Sequence, residues 1–593
     1  MNLDEKLSIL RLKMKEAGID ACIIPSGDPH LSEYSADHWK IREWVSGFTG
    51  SAGTVVITAC EAGLWTDSRY YLQAEQQLNG KYIRLFKDGQ PGVPDYADWL
   101  NDTLPKGSKI GVNNELFSIT QAKKLTEKLG TNKKEVISNF TMDGEIWNIR
   151  PPMPVEKITS IPDYMTGLSR QAKIEQVRNE MRKKGATHYI TAALDEIAWV
   201  LNLRGNDVLY NPVFYAFLTI TIDETHLYVN PDKLSAHIAK KITDDGAKMY
   251  LYEQFYHSIK NIPENSMVLI DPNRTNMAIY EALPCKTMKL ETDSIITWLK
   301  AVKNETEIEN IKQVMVKDGI AVVRFLAWLN RTAGVEEITE LSAAAELKMA
   351  RGQQSGFVGE SFTTISAYGA HGAIVHYSAT TESNSELHPS GVYLVDSGGQ
   401  YISGTTDITR TVALGEVPEQ AKIDYTLVLK GHIALANAVF PAGTRGVHLD
   451  ILARKALWEH GLNYGHGTGH GVGYFLNVHE GPQSIRPQDN GVELKAGMVT
   501  SNEPGIYRSG EYGIRIENLI LCVEKEETPF GKFLGFETLT LCPFDHNMIK
   551  PEMLTNDEKG WINNYHRRVY EILAPLIVCE AQVWLKKFTQ PIE

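Results

Sequence analysis

Any fold of this 593-residue chain has to bring together five potential metal ligands that lie far apart in its last third. Their local sequences are VDSGG, TTDITR, HGTGHGVG, SNEPGIY and IRIENL. The five residues are Asp396, Asp407, His470, Glu503 and Glu517. Four carboxylates without cations would repel one another and titrate as a coupled group, whereas two divalent cations would cancel their charge. The pattern therefore predicts a site for two divalent cations.

The two aspartates flank a predicted β-hairpin. Asp396 ends an alternating strand, and Asp407 shares a face with Thr409 on the next strand. A hairpin centred near residues 401–402 would place Asp396 opposite Asp407. Carboxylates held so close repel unless one takes up a proton or cations bind between them. Taken singly, each is better explained as an ordinary turn aspartate beside glycine.

Four histidines lie near these acidic strands in the sequence. His466 and His470 belong to a segment with glycine at every second position, which makes a helix improbable there. Such a segment is a loop that can approach a ligand closely, and not the helical zinc motif. The other two are His376 and His479. A lone histidine is usually a solvated or satisfied side chain, but four of them favour a functional site.

The two glutamates lie in extended sequence. Glu503 precedes Pro504, which favours an extended backbone. Arg515 and Glu517 are two residues apart and are predicted to share one face of a strand, either as a structural salt-bridge face or with Arg515 neutralising another carboxylate. One nitrogen and mostly oxygen ligands favour Mn²⁺, with Zn²⁺ or Co²⁺ as possible substitutes. Because paired ions activate water at neutral pH, a hydrolase is expected.

Charge and composition argue against several classes of protein. A net charge of −13 disfavours general affinity for nucleic acid or an anionic membrane. Charged residues 4–6 interrupt the N-terminal run that a signal peptide needs, and no stretch approaches about 18 apolar residues, so a cytoplasmic enzyme is predicted. The six cysteines are dispersed and are predicted to be reduced, mostly buried thiols.

A helix–glycine–strand unit occurs twice. Met14 and Gly18 in the first copy match Met181 and Gly185 in the second, and β-rich sequence follows both. This predicts a duplicated α/β domain, although any helix–glycine–strand unit resembles another. A stiff proline-rich linker at residues 150–154 separates the copies.

A further boundary is predicted where a capping box, Asn304 with Glu307, begins a long helix. A second capping box, Thr555 with Glu558, begins a tail helix. The predicted domains are residues 1–155, 156–303 and 304–593.

Together these motifs resemble the metallopeptidases of the pita-bread fold, which include methionine aminopeptidase, prolidase and aminopeptidase P. Over its whole length the chain is similar to the long, three-domain cytosolic Xaa-Pro aminopeptidases. The segments IREWVSGFTGSAGTVVIT and LWTDSRYYLQAEQQL resemble the first domain of that family. The resemblance implies an α/β (α+β) protein with two duplicated N-terminal domains and a C-terminal pita-bread catalytic domain carrying a helical extension.

The resemblance also implies a role for each donor. Asp396 would chelate one ion, and His470 with Glu503 would hold the other. Asp407 and Glu517 would contact both ions. Glu503 would in addition help to deprotonate a bridging water, so that a hydroxide between the two ions attacks the substrate.

Four further residues would face the substrate. His376 matches a proton-shuttling or substrate-facing histidine, and His479 matches the histidine that steadies the scissile carbonyl oxygen. His466 would line the substrate pocket, and Arg515 belongs to the same substrate-binding set. The implied reaction is release of the N-terminal residue from peptides with proline in the second position, by a homodimer that binds neither nucleic acid nor a membrane.

Two other functions stay open from the sequence. One is a prolidase-like dipeptidase that uses the same metal centre. The other is a non-catalytic peptide-binding module, because a fold alone does not determine function.

Overall fold

The structure, a computed structural model, describes residues 1–141 and 146–593, and the chain forms two compact units. Unit 1 contains Met1–Asp163 and Leu168–Thr297. Unit 2 contains Tyr164–Gly167 and Trp298–Glu593. The domain limits at residues 155/156 and 303/304 stay predictions.

Unit 1 contains two six-stranded mixed sheets with helices around them. The strands in chain order are β1 (Ala21–Pro25), β2 (Thr54–Thr58), β3 (Ala62–Thr66), β4 (Arg84–Lys87), β5 (Lys109–Gly111), β6 (Glu135–Ile137), β7 (Thr159–Ser160), β8 (His188–Thr191), β9 (Leu203–Arg204), β10 (Ala216–Thr221), β11 (Thr225–Val229), β12 (Ala247–Tyr250), β13 (Met267–Ile270) and β14 (Met288–Glu291). The first helices are α1 (Leu3–Glu16), α2 (Ile41–Ser46), α3 (Tyr71–Gln77), α4 (Tyr96–Thr103), α5 (Ile119–Gly130), α6 (Asp163–Thr166), α7 (Arg170–Lys184), α8 (Leu194–Val200), α9 (Ala236–Asp244), α10 (Phe255–Lys260), α11 (Met277–Ala282) and α12 (Ile295–Ala301).

The two sheets repeat one topology, which confirms the predicted duplication. Their strand orders are β4-β3-β2-β1-β5-β6 and β12-β11-β10-β8-β13-β14, with the same parallel and antiparallel pairings at each step. Gly18 and Gly185 both adopt positive φ after the helix that precedes the central strand. The β-rich sequence predicted after Gly18 forms strands only in part, because β3 ends at Thr66 and α3 begins at Tyr71.

Unit 2 combines long helices with several small antiparallel sheets. Its helices are α13 (Glu305–Thr332), α14 (Glu340–Gly352), α15 (Glu419–Ala436), α16 (Gly446–Trp458), α17 (Asn556–Leu573) and α18 (Cys579–Phe588). Its strands are β15 (Phe357–Glu360), β16 (Ile365–Tyr368), β17 (Val392–Ser397), β18 (Gly399–Tyr401), β19 (Gly404–Thr405), β20 (Ile408–Ala413), β21 (Val439–Pro441), β22 (Gly469–His470), β23 (Ser484–Ile485), β24 (Val499–Asn502), β25 (Gly505–Arg508), β26 (Tyr512–Arg515), β27 (Asn518–Thr528) and β28 (Gly531–Thr538).

Both predicted capping boxes are present. Asn304 caps α13 together with Glu307, and Thr555 caps α17 together with Glu558. Buried residues of α13, α15, α17 and α18 pack into one apolar core with strands β17 and β20. This core supports the sheet that carries the two predicted aspartate ligands.

The predicted aspartate hairpin forms, but its register differs from the prediction. In the β17–β20 pair, Asp396 lies opposite Thr409 and not opposite Asp407. The connection contains two further short strands, β18 and β19, which pair with each other and leave Asp407 just before β20. Glu517 likewise lies outside a strand, between β26 and β27.

Within the described residues, no helix is both long and apolar enough to cross a bilayer. All six cysteines are unpaired, as predicted. The prediction that they are mostly buried is wrong, since Cys60, Cys285 and Cys579 are exposed.

Candidate metal centre

The five predicted donors converge in unit 2 from separate elements. Asp396 lies on β17 and Asp407 just before β20, while His470 ends the short strand β22. Glu503 lies between β24 and β25, and Glu517 between β26 and β27. Donor atoms lie within 4.8 Å of one another in three overlapping groups. These groups are Asp407–His470–His479, His470–Glu503–Glu517 and Asp396–Asp407–Glu517.

His470 presents Nε2 to the carboxylates. This atom lies 3.4 Å from Asp407 Oδ2 and 3.5 Å from Glu503 Oε1. Its Nδ1 lies 3.0 Å from the carbonyl oxygen of Gly471, a contact that selects the tautomer with the proton on Nδ1. Nε2 is then available as a ligand atom. The backbone N–H of His470 donates to Ser501 Oγ, and that hydroxyl donates to Glu503 Oε1, so one serine connects two donors.

Arg515 and Thr409 hold the carboxylates on the other side of the cluster. Arg515 contacts Asp396 Oδ2 through Nη2 at 2.6 Å and through Nε at 3.1 Å. The Thr409 hydroxyl donates to Glu517 Oε2 at 2.9 Å. Of the two readings of Arg515 from the sequence, the structure favours neutralisation of another carboxylate over a salt bridge with Glu517.

The electrostatics of the cluster are those of crowded carboxylates. Burial, together with the neighbouring carboxylates, raises the pKa of Asp396 and of Glu517, and raises the pKa of Glu503 to about 7. Burial alone would lower the pKa of His470, but the hydrogen bond that it donates to Asp407 and the charge of Glu503 raise this pKa to about 9. Ionised carboxylates are thus unfavourable in this cluster unless a positive charge balances them.

The donor set fits two divalent cations. Asp396 Oδ1 is buried and has no hydrogen-bond partner in the described part of the chain, which is costly for a carboxylate oxygen unless something binds it. Four carboxylates and one imidazole form an oxygen-rich set of the kind that Mn²⁺ favours. His470 and Glu503 stay partly exposed, with 22% and 17% of their side chains accessible, so the cluster opens to solvent on that side.

The other predicted residues lie around this opening. The His479 ring packs edge-on against His470 with ring centroids 4.4 Å apart. His466 Nδ1 lies 3.9 Å from Glu503 Oε2, and its Nε2 contacts the Tyr507 hydroxyl at 2.7 Å. His376 lies in a loop. The residue before it, Val375, accepts a hydrogen bond of 3.4 Å from Arg515 through its carbonyl oxygen.

Several supporting residues escaped the sequence analysis. On α16, buried Asp450 pairs with Arg454 and accepts a hydrogen bond from the Thr468 hydroxyl. Arg454 also donates to the carbonyl oxygens of Tyr464 and His466, so this helix fixes the glycine-rich loop. The spacing of Asp450 and Arg454, four residues apart on a helix, was visible in the sequence, but it is typical of exposed ion pairs as well.

Models of known protein families match most of the chain, including the residues of the candidate metal centre. The profile of metallopeptidase family M24 matches residues 309–524, and profiles of the Creatinase/Prolidase N-terminal domain match 6–150 and 149–307. The C-terminal region of peptidase M24 matches 532–592. Aminopeptidase P2 of Arabidopsis thaliana is 41% identical, in an alignment that covers all of this chain and 89% of that protein. The chain belongs to metallopeptidase family M24.

Two further similarities extend over the full length of this M24 metallopeptidase. Xaa-Pro aminopeptidase 1 of Dictyostelium discoideum is 41% identical over all of this chain and 97% of that protein. The crystal structure of X-prolyl aminopeptidase from Caenorhabditis elegans, described as a cytosolic enzyme with a di-nuclear active site, matches with a TM-score of 0.96, 35% identity and complete coverage of both chains. The expected fold, two α/β N-terminal domains followed by a pita-bread catalytic domain, is confirmed.

Proposed function

We propose that this M24 metallopeptidase is a two-metal aminopeptidase that releases the N-terminal residue from peptides with proline in the second position. One observation carries the proposal: five donors cluster at an oxygen-rich site in a chain that resembles Xaa-Pro aminopeptidases from end to end. The similarity to an enzyme described as having a di-nuclear active site supports the number of ions.

In this proposal the donors divide between the two ions. Asp396 would bind one ion, His470 and Glu503 would hold the other, and Asp407 and Glu517 would contact both. We propose Mn²⁺ as the ion, because oxygen ligands predominate, with Zn²⁺ or Co²⁺ as substitutes. When bound, the ions would supply Lewis acidity and lower the pKa of water. Glu503 would accept the proton that this water loses.

The surrounding side chains would handle the substrate. An Xaa-Pro bond is a tertiary amide whose nitrogen carries no hydrogen, so the leaving proline needs a proton from the enzyme. His376 would deliver that proton, and His479 would donate a hydrogen bond to the scissile carbonyl oxygen. His466 and Arg515 would line the substrate pocket. The acidic cluster suits a substrate with a free α-ammonium group.

Two further proposals concern the whole protein. We propose that it acts in the cytoplasm, as the relative from Caenorhabditis elegans is described as cytosolic. We also propose a homodimer, to which two exposed apolar residues contribute, Leu576 just before α18 and Val583 on it. Light scattering at micromolar concentration should give twice the chain mass of 66.3 kDa; the mass of one chain would contradict the dimer.

The decisive experiment combines metal analysis with a peptide assay. The protein as purified should contain two divalent ions per chain, lose cleavage of an Xaa-Pro-Pro peptide after chelation, and regain it when Mn²⁺ is added. An Xaa-Pro-Yaa tripeptide should be cleaved much faster than the matching Xaa-Pro dipeptide. The opposite preference would indicate a dipeptidase, and a full metal complement without any cleavage would indicate a binding module.

A further inference from the structure

A buried glutamate outside the metal centre, Glu340, is the feature of unit 2 that the proposed mechanism leaves unexplained. It is the first residue of α14, and it is fully buried. Oε1 accepts from the backbone N–H of Tyr368 at 2.7 Å and lies 2.9 Å from His371 Nδ1. Oε2 accepts from the Tyr377 hydroxyl at 2.8 Å and from the backbone N–H of Ser385 at 3.0 Å. One carboxylate therefore receives four hydrogen bonds.

The partners of Glu340 enclose the segment that carries His376. We call residues 369–377 the His376 loop. Tyr368 immediately precedes this loop, and Tyr377 is its last residue, so the carboxylate joins its two ends. The rings of His371 and Tyr377 also stack within the loop, with centroids 4.5 Å apart and an interplanar angle of 22°. His376 is thus adjacent to a residue that Glu340 holds directly.

The opposite side of the His376 loop rests on strand β26, next to the metal centre. Gly372 packs so closely on Gly513 that a Cβ on Gly513 would lie 1.7 Å from the Gly372 carbonyl oxygen. Arg515, two residues further along β26, donates to the Val375 carbonyl oxygen and also holds Asp396. The loop is therefore fixed between the start of α14 and the strand that contacts a candidate ligand.

We propose that Glu340 is a positioning residue for His376, which it holds at the metal centre by fixing both ends of the His376 loop. The inference rests on the proposed function, in which His376 protonates the leaving nitrogen. A buried carboxylate with four donors is a stiff anchor, because hydrogen bonds to an ionised group are strong in a low-dielectric interior. Proton transfer tolerates little displacement of the donor, so loosening this anchor slows turnover without removing a reacting group.

A double-mutant cycle tests this coupling. The variants are Glu340→Gln, His376→Ala and the combination, each measured for kcat, KM and bound metal. Gln replaces one carboxylate oxygen by an amide nitrogen. This nitrogen cannot accept the hydrogen bonds that Tyr377 and Ser385 donate to Glu340. We expect Glu340→Gln alone to lower kcat about 10- to 100-fold, with little change in KM and unchanged metal content. In the His376→Ala background, the same change should lower kcat no further, because the two residues act as one unit.

Tyr377→Phe provides a second, milder variant, which keeps the ring and removes the hydroxyl that contacts Glu340 and Ser383. It should lower kcat about fivefold and should also lose its effect when His376 is absent. Tyr393→Phe is the matched control: this buried hydroxyl bonds to Ser366 Oγ at 2.6 Å on strands β17 and β16, outside the loop, and its loss should leave kcat unchanged.

Four outcomes decide whether Glu340 positions His376. Independent, multiplicative losses in the double variants would overturn the positioning role, and so would loss of metal in Glu340→Gln. If Glu340→Gln fails to fold, the cycle with Tyr377→Phe decides by the same criterion. Normal activity of His376→Ala by itself would instead refute the role proposed for His376, and the positioning proposal would fall with it.

Discussion

The single residue Glu517 shows how the metal centre destabilises the folded state when no cations are bound. Its side chain is buried, and burial plus the charges of Asp407, Glu503 and Asp396 raise its pKa well above the usual value. A raised carboxyl pKa means that the ionised group destabilises the folded state at neutral pH. The buried carboxylates of the centre therefore need bound cations to balance their negative charge.

We therefore expect Glu517→Gln to have opposite effects on the metal-free and the metal-loaded protein. At pH 8 without metal, the variant should be more stable than the wild type by about 1–2 kcal/mol, since one buried negative charge is gone. Hydrolysis should fall by several orders of magnitude, and Mn²⁺ should no longer raise the unfolding temperature. Thermal unfolding with and without Mn²⁺ measures both effects. Near-normal activity, or a Mn²⁺-dependent shift equal to that of the wild type, would contradict the role of Glu517.

Thr409 supports Glu517 without being a candidate ligand itself. Its hydroxyl donates to Glu517 Oε2 and lies 3.2 Å from Arg515 Nε. Thr409→Val keeps the shape and removes the hydroxyl, so we expect metal affinity to fall about 10- to 100-fold. Thr411→Val on the same strand is the control, because the Thr411 hydroxyl bonds only to the backbone of Arg515. Metal titration of both variants should separate them; equal affinities would argue against this role.

At the scale of elements, helix α16 determines the position of the glycine-rich loop. The buried pair Asp450–Arg454 leaves each side chain only 2% exposed, and Arg454 binds the loop backbone. Asp450→Ala leaves that guanidinium buried without its carboxylate, and should lower the free energy of unfolding by about 3–5 kcal/mol. Urea denaturation measures the loss.

The same helix supplies the control for that prediction. Glu459 pairs with Lys455 at the same spacing of four residues, but both side chains are exposed. Glu459→Gln should therefore leave the urea midpoint unchanged. Equal urea midpoints for the Asp450 and Glu459 variants would show that the buried pair stabilises the fold no more than the exposed pair does.

How much the sequence could predict differs between these elements. Helix starts were accessible because the capping of α13 by Asn304 depends on neighbours within one turn. The Asp396–Asp407 register was wrong because β18 and β19, which shift it, form by pairing across the connection and have no local signal of their own. Pairing over a distance depends on partners that no short window contains.

The candidate site shows the same limit. The five donors were predictable because few residue types bind divalent cations and their motifs are distinctive. Supporting residues such as Thr409, Ser501 and Glu340 are common types. They become informative only when the fold brings them beside a donor or beside the His376 loop. Their roles depend on tertiary contacts, and a single sequence does not contain those contacts.

The whole molecule should respond to acid through buried histidines that are not candidate metal ligands. His566 on α17 is fully buried, accepts a hydrogen bond from the Phe544 N–H and contacts His546 through Nδ1. Burial, followed by the charges of His546 and Arg410, lowers its pKa well below 6.5. The unfolded chain therefore binds a proton below about pH 6.5 that the folded chain does not, so stability falls as pH decreases.

His566→Gln isolates this contribution, because Gln can still accept from the Phe544 N–H but does not titrate. Above pH 7 the variant should be no more stable than the wild type. Between about pH 6.5 and 4.5 the difference should shift in favour of the variant by about 1.4 kcal/mol per pH unit. The nearby carboxyl of Asp545, whose pKa burial raises to about 6, has the opposite dependence but is common to both proteins and cancels in the comparison. Urea titrations at several pH values measure the difference. A difference independent of pH would show that the fold does not lower the pKa of His566.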